Sequence, residues 1–262
     1  MVESKITKEY ASGLILFDIV DELAYIGRIT INNPSKRNAI SRQMWFALSD
    51  LLDDCLLNYK TIRVLIVTGS GQISFCSGAD LSEKEGDGTD NTIPNIRVKL
   101  RQYPIPIIAK INGYCLGGGL ALAMNVDIRI ASENASFSIP AVKLGVPCPK
   151  DIVHRLIQLV GESQAKMILY MGNRISAQQA YTIGLIQYVS DSHDNLDKYV
   201  LELAQTISRN APLSIRSIKL MIENGTNELT IKTSIDACLS SHDINEGRNA
   251  FREKRDANFQ DC

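Results

Sequence analysis

Three consecutive glycines at positions 117–119 follow an apolar run, Ile107, Ile108, Ala109 and Ile111, and precede an Ala/Leu-rich stretch from Leu120. The order strand, glycine turn, helix start has a defined chemical use. Glycine lets backbone approach a ligand closely, and the first N–H groups of a helix are unpaired and lie at the positive end of its dipole. A phosphate, a carboxylate or a developing oxyanion would each suit such a place. A second turn, Ser77-Gly78-Ala79-Asp80, comes after the apolar run Val64-Leu65-Ile66-Val67. If both runs are strands of one parallel sheet, both turns leave at its carboxyl edge. Two N–H groups converging there would form an oxyanion hole for a thioester or an enolate. Neither turn spells GxGxxG or GxxxxGK[ST]. The alternative use of these glycines is tight packing of helix on strand.

Few other residues offer chemistry on their own. The six cysteines, at 55, 76, 115, 148, 238 and 262, form no CxxC pair, and no Cys/His cluster has zinc-ligand spacing. No metal is expected, and scattered cysteines in apolar surroundings read as small core residues. Cys148 could be a nucleophile only in an electropositive setting, which Lys143 and Lys150 could supply. Asp151 could cap a helix containing Ile152, Val153, Leu156 and Ile157, or could move a proton. His154 falls among apolar residues, whereas His193 and His242 read as surface residues.

The elements that must position these groups follow from periodicity. LILFDIV and AYIGRITI predict two strands of a hairpin, broken at Asp21-Glu22. Ser41 predicts the N-cap of a helix whose core face is Met44, Leu48, Leu51, Leu52 and Cys55. The run 64–67 is continuous, as in parallel strands buried on both faces. Residues 82–95 are polar and rich in breakers, and read as a surface loop. Short helices are expected at 96–103, 162–171 and 176–183, and strands at 127–132 and 185–190. Four helices over about 195–255 complete an α/β core, 1–195, with a helical region at 196–262 in the same functional unit.

Composition narrows the class. The chain has 262 residues, 45% hydrophobic and 22% charged, with 28 Lys+Arg against 29 Asp+Glu. This is the balance of a soluble globular protein with no overall pull toward nucleic acid or a membrane surface. No apolar run approaches the roughly 20 residues of a spanning helix, and MVESKITKEY lacks the features of a signal or transit peptide. A cytoplasmic protein is expected.

NPSKRNAIS, FCSGADL, INGYCLGGGLALAMNVDIRIASENASFSIP, RISAQQAYTIGLI and AFREKRDANFQD occur in that order along nearly the whole chain. Together they resemble the crotonase superfamily, the enoyl-CoA hydratase/isomerase fold. The resemblance implies a spiral of ββα turns, a C-terminal helical region that trimerises, and assembly as a trimer or a dimer of trimers. It implies an acyl-CoA thioester as ligand and no separate cofactor, because coenzyme A is part of the substrate. The oxyanion hole would be the backbone N–H groups of Ala79 and Gly118. Coenzyme A contacts would map to Lys36, Arg37 and Ala39 and to the loop of Ser77, Ala79, Asp80 and Leu81.

The departures bear on the reaction. Hydratases of this superfamily carry an acid–base glutamate two residues past the glycine triplet, where this chain has Ala121, and a second after the following proline, where it has Ala141. Alanine moves no proton, and each such group contributes about 10²- to 10⁴-fold. Dehalogenase-like and dienoyl-isomerase-like members use a carboxylate at the position of Pro149, two residues before Asp151. Some decarboxylases of the superfamily carry a tyrosine at the position of Cys148. Three readings follow: a hydratase-like enzyme with a different proton-transfer group, Asp151 leading; an acyl-CoA decarboxylase or thioester hydrolase; and a non-catalytic CoA-ester binding or assembly protein.

Overall fold

In a computed structural model, residues 6–21, 25–80, 82, 95–223 and 227–261 are described. The strands among them are β1 (Ile6–Tyr10), β2 (Ile15–Asp21), β3 (Ile26–Ile31), β4 (Val64–Gly69), β5 (Ser74–Cys76), β6 (Ile107–Ile111), β7 (Tyr114–Leu116), β8 (Ile128–Ser132), β9 (Ser136–Ser138), β10 (Ile175–Ser176) and β11 (Tyr188–Ser190). The helices are α1 (Arg42–Asn58), α2 (Ile96–Arg101), α3 (Gly118–Met124), α4 (Ala141–Leu144), α5 (Lys150–Met171), α6 (Ala177–Thr182), α7 (His193–Ser208), α8 (Pro212–Glu223), α9 (Glu228–Ser240) and α10 (His242–Glu253).

Seven strands form the main sheet in the order β1-β2-β3-β4-β6-β8-β11. The first three are antiparallel neighbours, and pairing is parallel from β3 onward. The continuous apolar run in β4 has the expected cause. Leu65 and Val67 enter the larger core with α1, α2, α3 and α5, while Val64 and Ile66 face Leu196, Val200 and Ala204 of α7. Both faces of the sheet are covered, so alternation disappears from the sequence. Ser41 caps α1 as expected, its Oγ accepting the Met44 N–H at 3.3 Å.

Two expectations need correction. The glycine turns do not hang on β4 and β6. They follow β5 and β7, three-residue strands of a second sheet ordered β10-β9-β7-β5. β5 and β7 pair in parallel, so the turns still leave side by side. The polar opening stretch also holds β1, an edge strand whose Lys8 and Tyr10 both bond Asp54 of α1.

The fit of α3 onto β5 is set by one glycine. A Cβ on Gly119 would stand 2.2 Å from the Cys76 carbonyl oxygen, so no side chain can occupy that position without moving backbone. At the far end of α3, Asp127 accepts the Ile107 N–H at 2.7 Å and receives the buried Lys219 ammonium at 2.6 Å. Lys219 also donates to the Ile105 carbonyl at 3.0 Å, which ties α8 to the start of β6. Burial lowers the Lys219 pKa, and Asp127 opposes that shift.

No helix among the described residues is long and apolar enough to cross a membrane. The packing at Gly119 gives a first prediction. Gly119→Ala should lose about 1–3 kcal/mol through overpacking, seen as a lower midpoint in urea unfolding. An unchanged midpoint would refute this account of the α3 contact.

Candidate functional site

The two turns meet backbone to backbone. A Cβ on Gly78, whose φ is +114°, would lie 3.4 Å from the Gly118 nitrogen, and one on Gly118 would lie 3.4 Å from the Ala79 nitrogen. The two backbones can come this close because residues 78 and 118 carry no side chain. Gly118 opens α3, so its N–H has no carbonyl one turn back within the helix. Ala79 is oriented by its neighbours: Ile40 N–H donates to Gly78 O at 2.9 Å, and Asp80 N–H donates to Ile40 O at 3.0 Å. In extended backbone successive N–H groups alternate sides, so that of Ala79 turns away from Ile40. Gly117 is fixed in turn by donating to Ser138 O at 2.8 Å.

The 36–39 loop and the 77–80 turn are knitted into one surface. Ser77 N–H donates to Arg37 O at 3.1 Å, and Ser77 Oγ donates to Lys36 O at 3.3 Å. Lys36 reaches Asp80 at 2.7 Å and Ser82 at 2.9 Å. The Lys36 ammonium, then the Ser82 hydroxyl, hold the Asp80 carboxyl down at about 2. The pair therefore stays ionised as pH falls through the usual carboxylate range and is lost only as pH approaches 2. Ala39 is buried, and the Arg37 guanidinium lies 5.5 Å from the Tyr114 ring centre. Leu81 lies outside the described residues, as do all of 82–95 except Ser82 and Asn95.

Asn38 is a structural hub that sequence reasoning passed over. It adopts the left-handed region at φ +57°, is 1% exposed, and donates from Nδ2 to Ser74 O at 2.6 Å and Ser70 O at 3.0 Å. Its signal was present: asparagine tolerates that conformation better than most residues.

Asp151 is not a helix cap. The cap position of α5 is Pro149, which provides no side-chain bond, and Asp151 lies in the first turn. Its Oδ2 instead accepts Arg97 Nε of α2 at 2.6 Å. One turn on, Arg101 of α2 bonds Glu223 at 2.9 Å, and Arg155 of α5 lies 3.9 Å from the same carboxylate. Residues 97 and 151 thus form one rung and 101 and 155 the next, so α2 and α5 run in the same direction. α2 leads through Tyr103 to the start of β6, the amino edge of the sheet. The 97–151 rung is therefore the one farther from the amino edge, and α3 also begins, at Gly118, away from that edge, because Asp127 just past its end accepts the Ile107 N–H.

The chain matches the enoyl-CoA hydratase/isomerase family model over residues 21–262. It belongs to that family. The mevalonyl-coenzyme A hydratase of Aspergillus fumigatus is 35% identical, over 87% of this chain and 88% of that protein. The 2,3-dehydroadipyl-CoA hydratase of Escherichia coli is 32% identical, over 88% and 94%. The crystal structure of an enoyl-CoA hydratase from Bacillus anthracis superposes with a TM-score of 0.87 at 32% identity, covering 95% of this chain and all of that one. The crotonase-like α/β fold expected from the sequence is the fold of this chain.

Within that family fold, the two alanines differ in surroundings. Ala121, in the first turns of α3, is 1% exposed and packed in the larger core. Ala141 opens α4 and is half-buried. Cys148 packs against the same core. Burial first, then the Asp151 charge, raises its pKa, while Arg97 lowers it. Lys143, offered from sequence as an activating charge, instead bonds Asn173 at 2.6 Å. A thiol held protonated is a poor nucleophile. Burial pushes the Cys76 thiol beneath the turn up to about 12.

This sets a chemical prediction. At pH 8, Cys148 should react with iodoacetamide more slowly than free cysteine, and Asp151→Asn should speed that reaction by removing a charge that opposes the thiolate. Peptide mapping of the alkylated protein measures both. Slower alkylation in the variant would contradict the assigned cause.

Proposed function

We propose that the protein binds an acyl-CoA thioester with its carbonyl oxygen between the Ala79 and Gly118 amides. The backbone-to-backbone approach of the two turns, which brings Gly78 beside the Gly118 nitrogen and Gly118 beside the Ala79 nitrogen, supports this reading. Two donors aimed at one oxygen stabilise the charge that develops when a thioester forms an enolate or a tetrahedral adduct. The surface of Lys36, Arg37, Ala39, Ser77 and Asp80 beside the pair would hold the coenzyme A portion. Lys36 and Arg37 supply positive charge for its phosphates.

Hydration is the activity the family assignment favours. With Ala121 and Ala141 at the usual glutamate positions, proton transfer needs another group. Asp151 is the candidate: its Oδ2 is taken by Arg97, while its Oδ1 has no hydrogen-bond partner among the described residues. The observation favouring a second reading is the same pair of alanines. An oxyanion hole without acid–base carboxylates would serve decarboxylation or thioester hydrolysis, or ligand binding without turnover.

The family implies a cytoplasmic trimer or dimer of trimers. Apolar side chains left exposed on the C-terminal helices support assembly: Ile222 and Leu229 are 74% and 75% exposed, and Phe251 is 85% exposed. Light scattering on the purified protein should give three or six times the 29.0 kDa chain mass. A monomer would reject this part of the proposal.

The reaction is tested with crotonyl-CoA and purified protein. Asp151→Ala should lower kcat by about 10²-fold or more if Asp151 is the proton-transfer group, with binding retained. Hydration at an undiminished rate in the variant would remove Asp151 from the mechanism. Turnover of malonyl-type or β-ketoacyl thioesters without hydration would support the second reading.

A further inference from the structure

Arg97 is held in an unusual way for an ion pair. Its Nε donates to Asp151 at 2.6 Å, and no acceptor among the described residues lies on either Nη. A guanidinium that only needed neutralising would present its two-pronged edge to the carboxylate, as Arg28 does to Asp18 with Nε and Nη2 at 3.1 and 2.8 Å. Here one carboxylate oxygen pins the side of the guanidinium and leaves its outer fork unused. The arginine and aspartate side chains are 31% and 40% exposed, so the pair is not sealed into the core.

The surroundings make the fork conspicuous. The residues flanking the pair, Ile96, Leu100, Ile152 and Leu156, belong to the core that includes Leu120 and Ala121 of α3. Lys99, the next cation on α2, turns to the other side and bonds Ser49 and Asp53 of α1. The Arg97 fork therefore stands in the first turn of α2, above buried apolar side chains that pack in one core with α3, the helix that opens at Gly118.

We propose that Arg97 recognises a carboxylate at the far end of the acyl chain, so that the preferred ligands are CoA monothioesters of dicarboxylic acids. This rests on the acyl-CoA reading given above. Asp151 would hold the guanidinium in register and balance part of its charge, while the two Nη groups bond the ligand carboxylate in parallel. Arginine suits this task because its planar fork matches a carboxylate, where lysine offers a point charge.

Calorimetric titration of chain-matched saturated esters tests the proposal without relying on turnover: succinyl- against butyryl-CoA, glutaryl- against pentanoyl-CoA, and adipyl- against hexanoyl-CoA. At least one dicarboxylic ester should bind about tenfold or more tightly than its monocarboxylic partner. Arg97→Met should bring that ratio to within about twofold, and Arg97→Lys should retain part of it. Equal affinities in all three wild-type pairs would overturn the inference, and so would a preference that survives Arg97→Met. The wild-type pairs decide the matter even if a variant fails to fold. Failure of every ester and of free coenzyme A to bind would instead bring down the acyl-CoA reading, and this inference with it.

Discussion

The backbone of α3 rests against the backbone of β5 with no side chain between them, and the candidate site depends on that contact. Gly119 is the point of closest approach, within a Cβ's reach of the Cys76 carbonyl. Because the helix seats there, Gly118 arrives beside Ala79 from a different part of the chain. The candidate site thus joins two turns that share no hydrogen bond with each other among the described residues. Its rigidity comes from outside: Ile40 fixes one turn and Ser138 the other. The core under both turns is apolar and close-packed, which leaves the amides little freedom to drift.

A second layer of organisation is electrostatic. Short rungs of charge join α2 to α5 and α8, and the buried Lys219–Asp127 pair joins α8 to the amino edge of the sheet. A buried ion pair is weak evidence for stability, since desolvation offsets the attraction. Its clearer effect here is directional. Among the described residues the acceptors of Lys219, Asp127 and the Ile105 carbonyl, lie in one place, which fixes how α8 seats.

Local sequence carried the main sheet because its signals are local. The run Val64–Val67 and the cap at Ser41 each state their own structure within a few residues. The second sheet was not legible in the same way. Strands of three residues, such as Ser74–Cys76 and Tyr114–Leu116, are too short to show a period, and they exist because a distant partner pairs with them. The close approach of the two turns could be anticipated from the glycines, and the order of motifs made the family legible. The environment of Asp151 could not. Capping was a sound local reading, but Pro149 took the cap position and the carboxylate found Arg97, 54 positions earlier in the chain. No pattern in a six-residue helix announces such a partner.

The packing of Ala121 has a consequence for how this chain could change over time. Its methyl group is 1% exposed within a close-packed core. A glutamate arriving there would bring four extra heavy atoms and a charge into space now shaped for alanine, and both overpacking and desolvation would count against it. Placing a carboxylate there would therefore take more than one substitution in structural terms, because the core packed around Ala121 would have to give way first. The alanine is thus held in place by the packing around it.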